Sequence, residues 1–390
     1  MYMHNPVQFA TGLSAKLATR SRHVCTFLGA GVGRACGLPD VAQLQVQVLS
    51  GLGDDDREAF ARQLNGRDLE QALSRLRRIA ALITGQEMVD GLTATKAQTL
   101  DATVCRLIVE ALDMQKANLE PVQYFAAWAA HSNYHLPLEL FTVNYDLLLE
   151  TALDGWRVPY FDGFVGTLRA RFHTELVEAT LGSAGEWVPA FFVRLWKLHG
   201  SVNWAWHDDN QIVRLGQPVP EGRAAAIYPS DTKYEESRRV PFVVLQDRLR
   251  RALHQPETML IIAGYSFGDA HLNEMLFDAA TRRERSEFVA FCYSDIPDVL
   301  ARRAIATPNF QVVSGREAII GGVRAEWDTP PNPPPNLWDE GQFALRDFRN
   351  LAAYLARSAS REPEGERFLR KLIEDVVAKR DVEKGEKDNA

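Results

Sequence analysis

Short, largely apolar runs punctuate this chain. Longer segments between them carry apolar residues every three or four positions. Six runs have strand length: Val24–Leu28, Leu138–Val143, Val193–Leu198, Thr258–Ala263, Glu287–Cys292 and Phe310–Ser314. None alternates apolar with polar residues. That predicts strands covered on both faces, as in a parallel sheet, and not half-exposed antiparallel ones. The intervening stretches mostly read as helices, beginning with Phe9, Leu13 and Leu17 in the first segment. Buried strands alternating with helices predict an α/β fold, a Rossmann-like doubly wound parallel sheet.

The spacing of the runs is uneven, and this shapes the expected organisation. Nearly a hundred residues separate Asp40 from His135 without a clear strand. They carry helical patterns instead, such as Leu69, Leu73, Leu76, Ile79 and Ala80, then Val104, Leu107, Ile108, Ala111 and Leu112. The expected division is a sheet domain from residues 1–40 and 136–329, with an inserted helical subdomain at 41–135. A second insertion, about Arg157 to Pro189, has mixed character, and Trp204–Val213 reads as a hairpin turning at Asp208-Asp209-Asn210. Pro330, Pro331, Pro333, Pro334 and Pro335 make residues 330–336 a stiff linker. Residues 337–390 follow as two helical patterns, Phe343–Arg357 and Glu364–Ala378, and a charged tail expected to be disordered.

Composition narrows the classes. The chain has 390 residues, 46% hydrophobic and 24% charged, ordinary for a globular protein with a large core. No apolar stretch approaches the roughly 20 residues of a membrane span, and Met1–Arg22 lacks a signal-type apolar core, so a cytoplasmic location is expected. A net charge of −7 gives no global attraction to nucleic acid. Arginine clusters at 75, 77 and 78 and at 282, 283 and 285 leave local contact open. The four cysteines (25, 36, 105 and 292) lack the paired spacing of a zinc site, and no metal is expected.

Candidate chemistry gathers where apolar runs end. Val24–Leu28 stops at Gly29-Ala30-Gly31, a turn that lets backbone approach a ligand, or one that simply needs glycine. Leu138–Val143 runs into Asn144-Tyr145-Asp146. Asn144 and Asp146 share one side of an extended backbone, and Asp146 equally suits a helix cap. Val193–Leu198 ends at His199-Gly200, where a histidine is either a structural partner or a proton acceptor near neutral pH. Thr258–Ala263 ends in Gly264-Tyr265-Ser266-Phe267-Gly268-Asp269, with Asn273 beyond. Its hydroxyl, carboxylate and amide suit a nucleoside, while Asp269 also suits a helix cap.

Taken in order, these segments resemble a sirtuin-type (silent information regulator) domain over roughly residues 20 to 315. The matching elements are Gly29-Ala30-Gly31 with Gly37-Leu38-Pro39, then Thr142, Asn144 and Asp146, then Leu198-His199-Gly200. The Gly264–Asn273 pattern resembles the branch found in bacterial antiphage defence systems. Two departures stand out: no cysteine-based zinc module, and Gly33 where a serine is frequent. The resemblance implies NAD+ as substrate, no structural zinc, and hydrolysis to nicotinamide and ADP-ribose. It assigns Asn144 to positioning water and ribose, Asp146 to orienting the nicotinamide carboxamide or ribose hydroxyls, and His199 to taking a proton. Gly29, Ala30 and Gly31 would offer amides to pyrophosphate; Thr142, Gly264, Ser266, Asp269 and Asn273 would line the cofactor, with Arg34 near phosphate or ribose.

The implied setting is an abortive-infection effector that assembles as a homo-oligomer with a partner, favoured as a HerA-type hexameric DNA-translocase ATPase over an Argonaute-type protein. A protein deacylase or ADP-ribosyltransferase, and a non-catalytic NAD+ or ADP-ribose sensor, are the competing readings.

Overall fold

The computed structural model describes residues 2–180, 188–207, 211–219, 225–227, 240–329, 331 and 334–359. Its centre is a sheet of nine strands: β1 (Val24–Leu28), β2 (Glu139–Thr142), β3 (Tyr160–Phe161), β4 (Val193–Lys197), β5 (Met259–Ala263), β6 (Glu287–Phe291), β7 (Phe310–Val313), β8 (Glu317–Ile320) and β9 (Val323–Glu326). Their spatial order is β9-β8-β7-β6-β5-β1-β2-β4-β3. Pairing is parallel from β7 through to β3, and antiparallel only for β7–β8 and β8–β9. All six expected strands are present. The chain moves from β1 to one side and from β5 to the other, so the carboxyl ends of β1 and β5 flank the point where strand order reverses. Ligands of doubly wound sheets bind in that crevice.

Why the runs lack alternation is plain from the burial. Every residue of β1, β2, β4 and β5 is buried. Successive side chains point to opposite faces, and each face has its own apolar layer. Val24, Leu28, Leu140, Leu195 and Ile261 join the helices Pro6–Leu17, Leu69–Leu82, Glu120–His131 and Phe348–Ala359. Cys25, Phe27, Phe141, Trp196 and Ile262 join the helices Phe242–Leu253, Ala270–Arg282 and Asp298–Ala306.

The long strand-free stretch folds into the helices Val41–Gly51, Asp54–Leu64, Leu69–Leu82, Ala94–Ala111 and Glu120–His131. Asp40 and Asp68 start two of them with complete capping boxes to Gln43 and Gln71. Leu44, Val48, Leu73 and Leu76 lie in the same continuous core as Val24 and Leu140. These helices are thus a layer fused onto one sheet face.

The C-terminal helix begins later than the periodicity predicts. Phe343 belongs to a small hairpin, Trp338–Asp339 with Gln342–Phe343, and the helix runs Phe348–Ala359. Its Leu351 and Leu355 sit in the sheet core, so the segment beyond the prolines returns to the main body. The expected hairpin forms as Gly200–Trp206 with Ile212–Arg214, inside a second, five-stranded antiparallel sheet. Its turn (208–210), the expected helix Glu364–Ala378 and the charged tail lie outside the described residues.

Candidate functional site

The site is built at the carboxyl ends of β5, β1, β2 and β4. Between β1 and β5, two glycine turns touch backbone to backbone. A Cβ on Gly31 would lie 2.6 Å from the Gly264 Cα, and one on Gly264 would lie 2.7 Å from the Val32 nitrogen. Gly264 also has φ +65°, a conformation that side-chain-bearing residues rarely adopt. The Gly29 N–H donates to the Ala263 carbonyl at 3.0 Å, and the Gly31 N–H donates to the Gly264 carbonyl at 2.8 Å. This corrects the expectation that the first glycine turn presents all its amides to a pyrophosphate: Gly29 and Gly31 spend theirs locking the two turns together.

Next to that turn, Thr142 is buried, and its hydroxyl donates to the Leu28 carbonyl at 3.1 Å while accepting from the Asn144 N–H at 3.0 Å. Thr142 therefore holds Asn144 from beneath. The Asn144 Nδ2 donates to the Gly29 carbonyl at 3.0 Å. That bond fixes the amide's orientation and leaves its Oδ1 with no partner among the described residues. Asp146 is buried. Its Oδ1 caps the Leu148 N–H at 3.0 Å, and its backbone carbonyl accepts from the Lys197 ammonium, which also pairs with Glu150 at 2.8 Å. Burial raises the Asp146 carboxyl above its usual range, against the pull of Lys197. Asp146 shapes the turn that carries Asn144, and its other oxygen faces Gly33, where an added Cβ would sit 3.5 Å away. Any side chain larger than a methyl there would press on this carboxylate.

β2 pairs with β4 in register Leu140 with Leu195 and Thr142 with Lys197, and the Leu198 N–H continues the ladder to Thr142. Asn144 and His199 therefore each follow by two residues the carboxyl end of one of two adjacent parallel strands. Gly200, at φ +87°, turns the chain immediately after it. The His199 side chain is 6% exposed and lies between two carboxylates, Glu70 at 3.7 Å from Nδ1 and Asp269 at 3.6 Å from Nε2. Burial alone would lower its pKa, but the two carboxylates outweigh it and push it up to about 9. In this arrangement His199 is a cation at neutral pH. The expected proton acceptor is charged as it stands.

Its two partners are themselves anchored. Asp269 caps the helix Ala270–Arg282, its Oδ1 accepting from the His271 and Leu272 N–H groups at 2.8 and 3.1 Å. Asn273 braces the turn before it: its Nδ2 donates to the Phe267 carbonyl at 2.8 Å, and its Oδ1 accepts from the Tyr265 hydroxyl at 3.0 Å. Asp269 and Asn273 thus brace the wall of the site through these bonds. Ser266 is exposed at the rim. Arg34 is 61% exposed on its side chain, pairs with Asp40 at 3.3 Å, and lies 5.8 Å from the ring of Tyr293.

Glu70 is the residue that sequence reasoning missed. It sits in the first turn of Leu69–Leu82, more than a hundred residues from His199, and also accepts from the Tyr145 hydroxyl. The Asp68–Gln71 capping box announces the helix, but nothing local says what its first turn faces. Tyr293, beyond the end of β6 and sandwiched by Arg34 and Arg346 (4.6 Å), was equally silent.

Residues 138–312 match the SIR2-like domain family. No curated protein matches the chain. The SIR2-like segment starts at β2 and ends within β7, so it holds Asn144, Asp146, His199 and the Gly264–Asn273 turn. The first glycine turn and Glu70 lie outside it. SIR2-like domains bind NAD+, and the match supports an NAD+-using function in general.

One three-residue cluster of metal-ligand type occurs among the described residues, formed by His23, Cys25 and Glu139. It lies at the amino ends of β1 and β2, the far side of the sheet from the SIR2-like crevice. Its carboxylate already receives both Arg248 nitrogens at 2.7 Å, the Trp196 indole at 2.7 Å and the His23 ring at 2.9 Å. The guanidinium supplies the compensating charge, and the Glu139 carboxyl is held far below its usual range even though burial opposes it. The cluster reads as a buried ion network. No helix among the described residues is long and apolar enough to cross a membrane.

Proposed function

We propose that this protein cleaves the bond between nicotinamide and ribose in NAD+, adding water to give nicotinamide and ADP-ribose. The observation that supports the reading is that Asn144 and His199 each follow the carboxyl end of one of two adjacent parallel strands, with Asn144 bonded to the first of the locked glycine turns. In the reaction the C1′–N electron pair leaves with nicotinamide, neutralising its ring, while positive charge develops on the ribose. Water then adds at C1′ and one proton is released. The Asn144 Oδ1 is free to accept from that water or from a ribose hydroxyl. Glu70 and Asp269 bring negative charge to the place where the sugar becomes cationic, an effect that grows in a water-poor site.

With both carboxylates beside it, His199 is mostly protonated at neutral pH, so only a small neutral fraction is available as a base, and weakening either contact would enlarge that fraction. The resting arrangement is therefore a restrained one. Restraint suits an enzyme whose product is NAD+ depletion. The resemblance to antiphage branches supports an abortive-infection role, and a homo-oligomer joined to a HerA-type ATPase is the assembly we favour for releasing the restraint.

Product analysis separates this reading from its rivals. NAD+ is incubated with the purified chain, and the products are resolved by chromatography. Equal amounts of nicotinamide and free ADP-ribose support hydrolysis. Acyl-ADP-ribose from an acetylated peptide, or label transferred to protein, would establish a deacylase or a transferase instead. Tight NAD+ binding without turnover, alone and with partner, would mark a sensor.

A further inference from the structure

A large cleft of about 890 Å³ opens beside the helix Leu148–Gly155. Its walls come from three places. The end of Ala94–Ala111 and the turn after it give Val109, Leu112, Asp113 and Met114; Leu148–Gly155 and its flank give Leu147, Glu150 and Asp154; the second sheet gives Asn203, Arg214 and Leu215. None of Glu70, Asn144, Asp146, His199 or Asp269 lines this cleft, so its wall is distinct from that of the crevice. The volume is that of a site for a small molecule.

Two buried polar atoms of this wall lack hydrogen-bond partners among the described residues, the Asn203 Oδ1 and the Arg214 Nε. The second is compensated by charge, since the Asp162 carboxylate lies 2.9 Å from it. The first is not. Asn203 is 5% exposed, and its Nδ2 donates to the Leu215 carbonyl at 3.0 Å, which fixes the amide so that Oδ1 is the unmet acceptor. A buried acceptor without a donor is costly, and proteins rarely carry one without use. The charged groups around it are mostly acidic. Besides Asp162, Glu150 pairs with Lys197 at 2.8 Å, and Asp113 caps the Gln115 N–H at 2.9 Å. Lys116 is the other cation on the wall. Asp154 has no ion-pair partner among the described residues, and Tyr160 stands where Glu150, Asp154 and Asp162 all act on its phenol. Between these acceptors the wall is aliphatic: Val109, Leu112, Leu147 and Leu215.

We propose that this cleft binds a small organic cation of the di- or polyamine type, with an ammonium group between Asp154 and the Asn203 Oδ1 and its methylene segments along the aliphatic wall. An ammonium donor answers the unmet Asn203 Oδ1 and the carboxylate of Asp154, and a ligand that alternates charge with short alkyl spacers matches a wall that alternates in the same way. This site is independent of the NAD+ reading.

The test is isothermal titration of the full chain with spermidine in buffer of near-physiological salt. Saturable binding of one equivalent is expected, unchanged by excess NAD+, and at least tenfold weaker in Asp154→Asn, a surface change that leaves the core intact. Asn203→Asp, which keeps the acceptor and adds charge, should bind at least as tightly as the parent. Absence of saturable heat into the millimolar range overturns the proposal. So does equal binding in Asp154→Asn, the result of diffuse ion pairing, or competition by NAD+, which would relocate the amine to the crevice.

Discussion

Replacing Glu70 by glutamine removes one of the two charges that hold His199 protonated and changes little else, because the amide can still accept from Tyr145. The His199 pKa of about 9 is the net of burial pulling down and two carboxylates pulling up. At 3.7 Å and an effective dielectric constant near 20, one carboxylate is worth about 4 kcal/mol of gross attraction to the imidazolium. Even half of that, after water enters beside the new amide, lowers the pKa by more than one unit, at about 1.4 kcal/mol per unit. At pH 7.5 a group titrating near 9 is only about 3% neutral, whereas one titrating near 7.5 is half neutral, roughly a tenfold gain in base. The imidazole resonances of His199, followed by NMR between pH 6 and 10, give the pKa directly; NAD+ consumption over the same range gives its consequence. The expected outcome is a downward shift of at least one unit, with the activity profile moving to lower pH by the same amount. A His199 midpoint that stays near 9 in folded Glu70→Gln would refute the electrostatic argument. A shifted midpoint with an unmoved activity profile would instead show that His199 is not the base.

Other expectations follow from the same contacts. His199 is raised from an unfolded value near 6.5, so its stabilisation is complete below about pH 6.5 and is lost as pH rises through about 9, at most about 3 kcal/mol; urea midpoints should decline over that window, and His199→Gln should flatten the decline. Gly264→Ala places a Cβ against the Val32 backbone in a left-handed conformation, so it should destabilise by about 1–3 kcal/mol or more in thermal melts and abolish NAD+ loss. Arg248→Met strands the buried Glu139 carboxylate and should cost about 3–5 kcal/mol in denaturant unfolding. Treating the parent chain with a chelator should leave its melting temperature unchanged, since Arg248 occupies the role a metal would have beside His23, Cys25 and Glu139.

The sheet could be read from the chain because its strands are covered on both faces, so burial wrote them as largely apolar runs, with Glu139, Arg194 and Lys197 the buried charged exceptions. The edge strands were not legible for the opposite reason. Tyr160–Phe161 is two residues long, and Val323–Glu326 is largely exposed, so neither carries an apolar signature. Phe343 fits a helical period with Phe348 and Leu351, yet Glu340 and Gly341 both adopt positive φ and turn the chain into a hairpin first. At the site, the residues on strand ends were found because a polar residue after an apolar run is a local event. What those residues touch is not local. Glu70 reaches His199 from a helix far away in sequence, and the Gly31–Gly264 contact joins turns more than two hundred residues apart. Thr142, Asp269 and Asn273 also bond within their own turns and caps, contacts that a polar residue after an apolar run does not announce.

The most direct measurement is NAD+ loss by the parent chain and by Asn144→Ala, assayed side by side with matched circular dichroism spectra, alone and with the products of neighbouring genes. The account predicts that the parent releases nicotinamide and ADP-ribose in at least one of those settings and that the variant, equally folded, releases neither. Turnover by Asn144→Ala at the parent's rate, or no turnover by the parent in any setting, would contradict it.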